Sequence, residues 1–166
     1  MSTALGIDLG ERRIGIALVM DGDLSARPLT TLRRGRRIDA DVAALRLLID
    51  THGVTELVVG LPFEAAGQEG TQAAGTRSWV AALVADLDRE VVITMRDERL
   101  TSHVAESRLG PMRRSRSGGP PTKHQRDAYR ARVDREAAAI ILQDELDTRH
   151  GTDTSCPRPP NPMETP

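Results

Sequence analysis

The chain has 166 residues, of which 39% are hydrophobic and 2% aromatic, and its formal net charge at pH 7 is −1. This length fits one α/β domain, whose core must be aliphatic because aromatic residues are so scarce. The single cysteine, Cys156, excludes an intrachain disulfide framework and a zinc site built from cysteines. No apolar run reaches the roughly 18 residues that a membrane span needs, and the N-terminal residues do not resemble a secretory leader. We therefore expect a cytoplasmic protein with no membrane partner.

The first part of the chain predicts an antiparallel meander. Alternating apolar residues predict strands over residues 3–9, 14–20 and 26–32. The turn signals between them are Gly10 with its charged neighbours and Asp21-Gly22-Asp23. Short turns between successive strands favour antiparallel pairing, so the three strands should be adjacent in one sheet.

Helices and buried strands then alternate. The spacing of apolar residues predicts a helix over 38–51 that ends at Gly53, a strand over 56–60, a helix over 71–88, a strand over 91–95 and a short helix from Thr101 or Ser102 to Leu109. Strands joined through a helix should be parallel.

The last part of the chain is strongly biased in composition. Residues 111–126 are rich in Arg, Ser, Gly and Pro and predict a mobile loop, followed by a helix from near Tyr129 or Asp134 to about Leu146. We expect a disordered tail over 150–166 and one domain over 1–149. The fold class is therefore α/β, a mixed five-stranded sheet with helices packed on it.

Acidic residues occur where burial or strand geometry makes them unusual. Asp8 interrupts an apolar strand, Asp97 and Glu98 directly follow one, and Asp134 shares a helix face with apolar residues. Each has an ordinary alternative: a turn-capping Asp, a strand-to-helix loop and a helix N-cap. A single explanation for all four acidic residues is that their side chains converge at one end of the sheet. Oxygen ligands of this kind favour Mg²⁺ or Mn²⁺, which can serve phosphodiester hydrolysis.

Basic residues are concentrated in two places. Nine basic and only two acidic residues lie between Arg108 and Arg135, and a second cluster consists of Arg33, Arg34, Arg36 and Arg37. Local basic patches on a nearly neutral protein fit contacts with a phosphate backbone. For the second cluster alone, an ordinary solvated loop is the favoured interpretation.

At this point the sequence resembles the bacterial YqgF-type family, described as Holliday-junction-resolvase-like proteins and as pre-16S rRNA nucleases. The matching blocks occur in family order: Gly6-Ile7-Asp8-Leu9-Gly10 with Arg13-Ile14-Gly15-Ile16-Ala17, Ala26-Arg27-Pro28-Leu29, Val58-Val59-Gly60-Leu61-Pro62, Asp97-Glu98-Arg99-Leu100-Thr101, and Val133-Asp134 with the apolar helix that follows.

The resemblance implies a ribonuclease-H-like fold, nuclease activity and processing of the 5′ end of 16S ribosomal RNA. It implies Asp8, Glu98 and Asp134 as catalytic and metal-binding residues, with Asp97 as a further metal ligand. The nucleic-acid contacts that we expect are Arg13, Arg99, Arg113, Arg114, Arg116 and Lys123. The expected partners are structured RNA, branched DNA as an alternative, and a ribosomal subunit; the sequence predicts no oligomeric state.

Other functions remain open at the level of sequence. The Gly6–Gly10 segment resembles the first phosphate loop of sugar kinases and actin, but that class needs a second such loop, and we find none here. A non-catalytic ribosome-assembly module with the same fold is a second alternative. A Holliday-junction resolvase would have the same carboxylates and would act as a two-fold dimer.

Overall fold

A computed structural model of the chain describes residues 2–62, 70–87, 89–97, 101–112 and 119–153. Its elements in chain order are β1 (Ala4–Leu9), β2 (Arg13–Val19), β3 (Arg27–Arg33), α1 (Ile38–His52), β4 (Glu56–Leu61), α2 (Thr71–Asp86), β5 (Val92–Asp97), α3 (Thr101–Leu109) and α4 (Lys123–Asp153). In the described parts of the chain, no helix is long and apolar enough to cross a membrane.

The strands form one mixed sheet in the order β3-β2-β1-β4-β5. The meander β1–β2–β3 is antiparallel, whereas β1, β4 and β5 are mutually parallel. The predicted five-stranded α/β architecture is therefore confirmed. Helix α1 ends at Gly53, as predicted. Gly53 has the left-handed conformation, at φ 62°, and its N–H donates to the carbonyl of Ile49.

The two faces of the sheet carry different side chains because residues alternate along each strand. Large aliphatic residues such as Leu5, Ile7, Ile14 and Ile16 point to the face that α1 and α2 cover, where they form the main core. Smaller residues, including Ala4 and Ala17, point to the other face and pack against α4. Helix α3 packs on the outer side of α4 through Ala105, Val133 and Ala137.

Helix α4 lies very close to β1 and β2 because glycines face it. A Cβ atom at Gly6 would come within 2.5 Å of the carbonyl oxygen of Ala138, and a Cβ atom at Gly15 would overlap the carbonyl oxygen of Asp134. Any side chain at these two positions would therefore push the helix away from the sheet.

The last helix begins earlier and ends later than predicted. It starts at Lys123 because Thr122 and Gln125 form a capping box: the Thr122 hydroxyl accepts the Gln125 N–H at 3.2 Å, and the Gln125 side chain accepts the Thr122 N–H at 2.8 Å. The expected loop over 111–126 is therefore wrong from Lys123 onward, and the helix reaches Asp153. Residues 113–118, and 154–166 of the predicted tail, lie outside the described residues.

Strand β5 is less buried than predicted. It is the edge strand of the sheet, and Val92 at its beginning is 63% exposed. The continuous apolar run therefore predicted the strand correctly but not its burial. An edge strand is less buried because it has a neighbouring strand on one side only.

The far end of α4 is attached to the sheet by a buried carboxylate. Glu56 at the start of β4 is 4% exposed and accepts hydrogen bonds from Arg149 and, at 3.0 Å, from the Thr94 hydroxyl. The Arg149 hydrogen bond holds the pKa of Glu56 below its ordinary value although burial opposes the shift. This ion pair fixes how far α4 can slide along the sheet.

We predict that Gly15→Ala destabilises the protein by roughly 3 kcal/mol, because the added methyl group overlaps the backbone of α4. The matched control is Gly75→Ala in α2, where a Cβ atom meets nothing within 4 Å. That change should stabilise the helix by up to about 1 kcal/mol. Urea unfolding of both variants measures the difference, and equal stabilities would refute the close packing of α4.

Candidate active site

Asp8 lies near the end of β1, on the face covered by α4. It alternates with Ile7, which points into the main core, and it is paired in register with Gly15 on β2. Since Gly15 has no side chain, the backbone of α4 contacts the sheet at the residue paired with Asp8.

Asp134 reaches the same place from the helix. Its backbone carbonyl sits against Gly15, so the closest approach of α4 to β2 brings residue 134 next to Asp8. Asp134 is in the twelfth position of α4 rather than at its start, so the N-cap interpretation is wrong. The helix is therefore continuous through Asp134, and packing rather than capping places this carboxylate.

The two carboxylates interact electrostatically. Burial, and to a smaller degree the negative charge of Asp134, raises the pKa of Asp8 from 3.8 to about 7. A partly buried pair of acids is costly unless a proton or a cation neutralises it. The arrangement is therefore one that can attract a cation.

Arg13 contacts the pair from β2. Its Nε donates to Oδ2 of Asp134 in an ion pair whose side chains are 28% and 22% exposed. The prediction from the sequence placed Arg13 in contact with nucleic acid, whereas the structure gives it a carboxylate partner. Arg13 thus fixes the orientation of Asp134 through one of its carboxylate oxygens.

Asp97 is not brought to this pair. It ends β5, two strands from β1, so the two backbones are about 10 Å apart. Its register partner is Leu61, and the alternation of β4 and β5 places both on the face opposite α4. Glu98 follows Asp97 in the chain but lies outside the described residues.

Within the described ranges, no three Asp, Glu, His or Cys side chains form a group that could hold a metal ion. Asp8 and Asp134 supply two predicted ligands, and Glu98 is the predicted third. Of the predicted nucleic-acid contacts, Lys123 is exposed in the first turn of α4. Four others lie outside the described residues: Arg99, Arg113, Arg114 and Arg116.

A family model described as "RuvX: Holliday junction resolvase" matches residues 2–148. The chain belongs to the RuvX family. Similar relatives carry the name "Putative pre-16S rRNA nuclease". The protein from Chloroflexus aggregans is 41% identical over 89% of this chain and 94% of its own length. The protein from Frankia casuarinae is 38% identical over 89% of this chain and 68% of its own length.

A solved structure of Thermus thermophilus RuvC in complex with a Holliday junction substrate is similar in fold to this RuvX-family chain. Its TM-score is 0.52 at 16% identity, and the match covers 92% of this chain and 98% of that chain. The predicted ribonuclease-H-like fold is confirmed by this likeness. The resemblance to the YqgF-type family is confirmed as well, and with it the prediction of an enzyme that hydrolyses phosphodiester bonds.

Sequence reasoning missed the partner of Arg13 and the true length of α4. The signal for the helix was present, since Thr122 and Gln125 have the spacing of a capping box. The Arg13–Asp134 ion pair joins residues that are 121 positions apart. No local pattern predicts such a contact.

We predict that Arg13→Gln in this RuvX-family chain lowers the cleavage rate at saturating substrate by roughly 10- to 100-fold, because Asp134 loses the group that orients it. The Mg²⁺ concentration for half-maximal rate should change too, which a general loss of stability would not cause. The control is Arg27→Gln, which removes an exposed ion pair with Asp23. If Arg13→Gln and Arg27→Gln have the same cleavage rate, Arg13 has no role in positioning Asp134.

Proposed function

We propose that this chain is a divalent-metal-dependent nuclease that processes pre-16S ribosomal RNA, with Asp8, Glu98 and Asp134 as its catalytic carboxylates. The observation that carries the proposal is the Asp8–Asp134 pair at the contact between β1–β2 and α4. Family membership supports the nuclease reaction, and the names of the curated relatives support the RNA substrate.

The donor set fits a hard divalent cation. Both described acids offer only oxygen atoms, which Mg²⁺ and Mn²⁺ prefer. The burial and mutual repulsion that raise the pKa of Asp8 are the strain that a bound cation would relieve. Asp97 lies on the other face of the sheet, so we do not include it in the proposed ligand set.

The chain's own residues would prepare the substrate for hydrolysis. A divalent ion, when bound, supplies positive charge to the reacting phosphate and activates water as the nucleophile. Asp8 and Asp134 would hold that ion at a fixed point, and Arg13 keeps Asp134 in one orientation. The close packing of α4 on Gly15 prevents the two carboxylates from moving apart. Hydrolysis then adds one water molecule across a phosphodiester bond.

A Holliday-junction resolvase is the second candidate function. The description of the matching family model favours it. The same carboxylates would serve either substrate, so the site does not distinguish RNA from branched DNA. We favour pre-16S RNA, within the ribosomal subunit being assembled, because the curated relatives that cover most of this chain carry that name.

We predict that Asp8→Asn lowers cleavage of a 16S precursor fragment on the order of 1000-fold, since the site loses a carboxylate that acts in the transition state. The variant should be at least as thermally stable as the wild type, because it removes a costly buried charge. The control is Asp50→Asn, which changes an exposed Asp that pairs with Arg89 on the surface.

The substrate is tested by offering a 16S precursor fragment and a synthetic four-way DNA junction side by side, each with Mg²⁺ or Mn²⁺. Cleavage of the RNA alone that depends on Asp8 would support the proposal. Cleavage of the junction alone would support the resolvase. Failure to cut either substrate, or equal cutting by the Asp8→Asn variant, would contradict the proposed nuclease site.

A further inference from the structure

A basic groove begins at the candidate active site and runs along the neighbouring edge of the molecule. It has a volume of about 800 Å³ and lies between the Arg13 end of β2, the end of β3 with the loop after it, and the first turns of α4. Arg13 lines this groove and also donates to Asp134, so the groove is adjacent to the carboxylate pair.

The groove is strongly positive for a protein of net charge −1. Six cationic side chains line it: Arg12, Arg13, Arg33, Arg34, Arg36 and Lys123. Two acids, Glu11 and Asp127, also line it. Ion pairs or carboxylate contacts are described for Arg13 and Arg34 only; within the described ranges Arg12, Arg33 and Arg36 have none. Much of the positive charge is therefore available to a ligand.

The loop that carries these arginines is held by a buried carboxylate. Asp41 is 3% exposed; its Oδ1 accepts the N–H of Gly35 at 2.7 Å, and its Oδ2 accepts the indole N–H of Trp79 at 3.1 Å. Arg34 adds a hydrogen bond of 3.1 Å to the carbonyl of Gly10, two residues after Asp8. The arginine cluster is thus anchored to the core and to the strand that carries Asp8, rather than being an ordinary solvated loop.

The shape of the groove fits a polymer better than a small molecule. Its cations Arg12, Arg33, Arg36 and Lys123 are all exposed, whereas small-molecule sites bury most of the ligand surface. Among the described residues that line it, none is an aromatic residue on which bases would stack. These features fit contact with the charged backbone and not with the bases.

We propose that this groove binds the phosphodiester backbone of the nucleic acid next to the bond that is cut, with Arg33, Arg36 and Lys123 as phosphate contacts. The proposal rests on the proposed function, because the carboxylate pair defines where the groove begins. It assigns a substrate-binding role to Arg33 and Arg36, whose cluster the sequence left open between a phosphate contact and an ordinary solvated loop.

The experiment measures binding without cleavage, in EDTA, with fluorescent RNA and DNA hairpins of the same sequence at 50 to 300 mM NaCl. The test variant is Arg33→Gln/Arg36→Gln. We expect its affinity at low salt to fall roughly tenfold. The magnitude of the slope of log affinity against log salt should fall by about 1.4 to 1.8, since each of the two lost phosphate contacts removes about 0.7–0.9.

The matched control is Arg27→Gln/Arg37→Gln, which lowers the net charge equally. Both arginines are exposed, paired with Asp23 and Asp39 respectively, and outside the groove lining. Its slope should stay within about 0.5 of the wild type. Equal losses of affinity and of salt slope in the two double variants would overturn the proposal, and so would a wild type that binds neither hairpin.

A parallel cleavage assay with Mg²⁺ separates this proposal from the proposed function. A wild type that binds through Arg33 and Arg36 but cuts nothing would support the groove and contradict the nuclease. A wild type that cuts, with binding unchanged in the Arg33→Gln/Arg36→Gln variant, would contradict the groove alone. Preference for the RNA or the DNA hairpin shows which backbone the groove accepts.

Discussion

The close approach of α4 to β1 and β2 is the constraint on which the rest of the structure depends. Gly6 and Gly15 allow the helix backbone to contact the sheet directly, and the alanines of α4 complete the contact. The consequence is chemical as well as structural. The helix brings Asp134 next to Asp8 at Gly15, where a side chain would keep the two carboxylates apart.

Ion pairs secure α4 at both ends of this contact. Arg13 binds Asp134 beside the carboxylate pair, and Arg149 binds buried Glu56 at the other end of the sheet. Removing one partner of a partly buried ion pair is costly because it leaves the other charge unpaired, so these two pairs oppose a shift of α4 along the sheet. The proposed site therefore needs a helix that is fixed along its length, since a small shift would change the geometry of the carboxylates.

Most of the fold could be predicted from the sequence because local patterns encode it. The strands of the meander and the helix that ends at Gly53 follow from alternation, turn residues and helical spacing. Asp8 and Asp134 stood out as charged residues among apolar ones. The contacts of Arg13 and Glu56, and that of Asp41 with Trp79, could not be predicted, because each joins a charged residue to a partner far along the chain. The edge position of β5 is likewise a property of the whole sheet.

The central claim is that Asp8 and Asp134 bind the same divalent ion. A titration with Mn²⁺, in which the free ion is measured by electron paramagnetic resonance, tests this directly. The proteins compared are the wild type, Asp8→Asn, Asp134→Asn and the double variant. We predict that each single change weakens binding by at least tenfold and that the double change adds little. Wild-type affinity in either single variant, or fully additive losses, would contradict a shared site and with it the function proposed here.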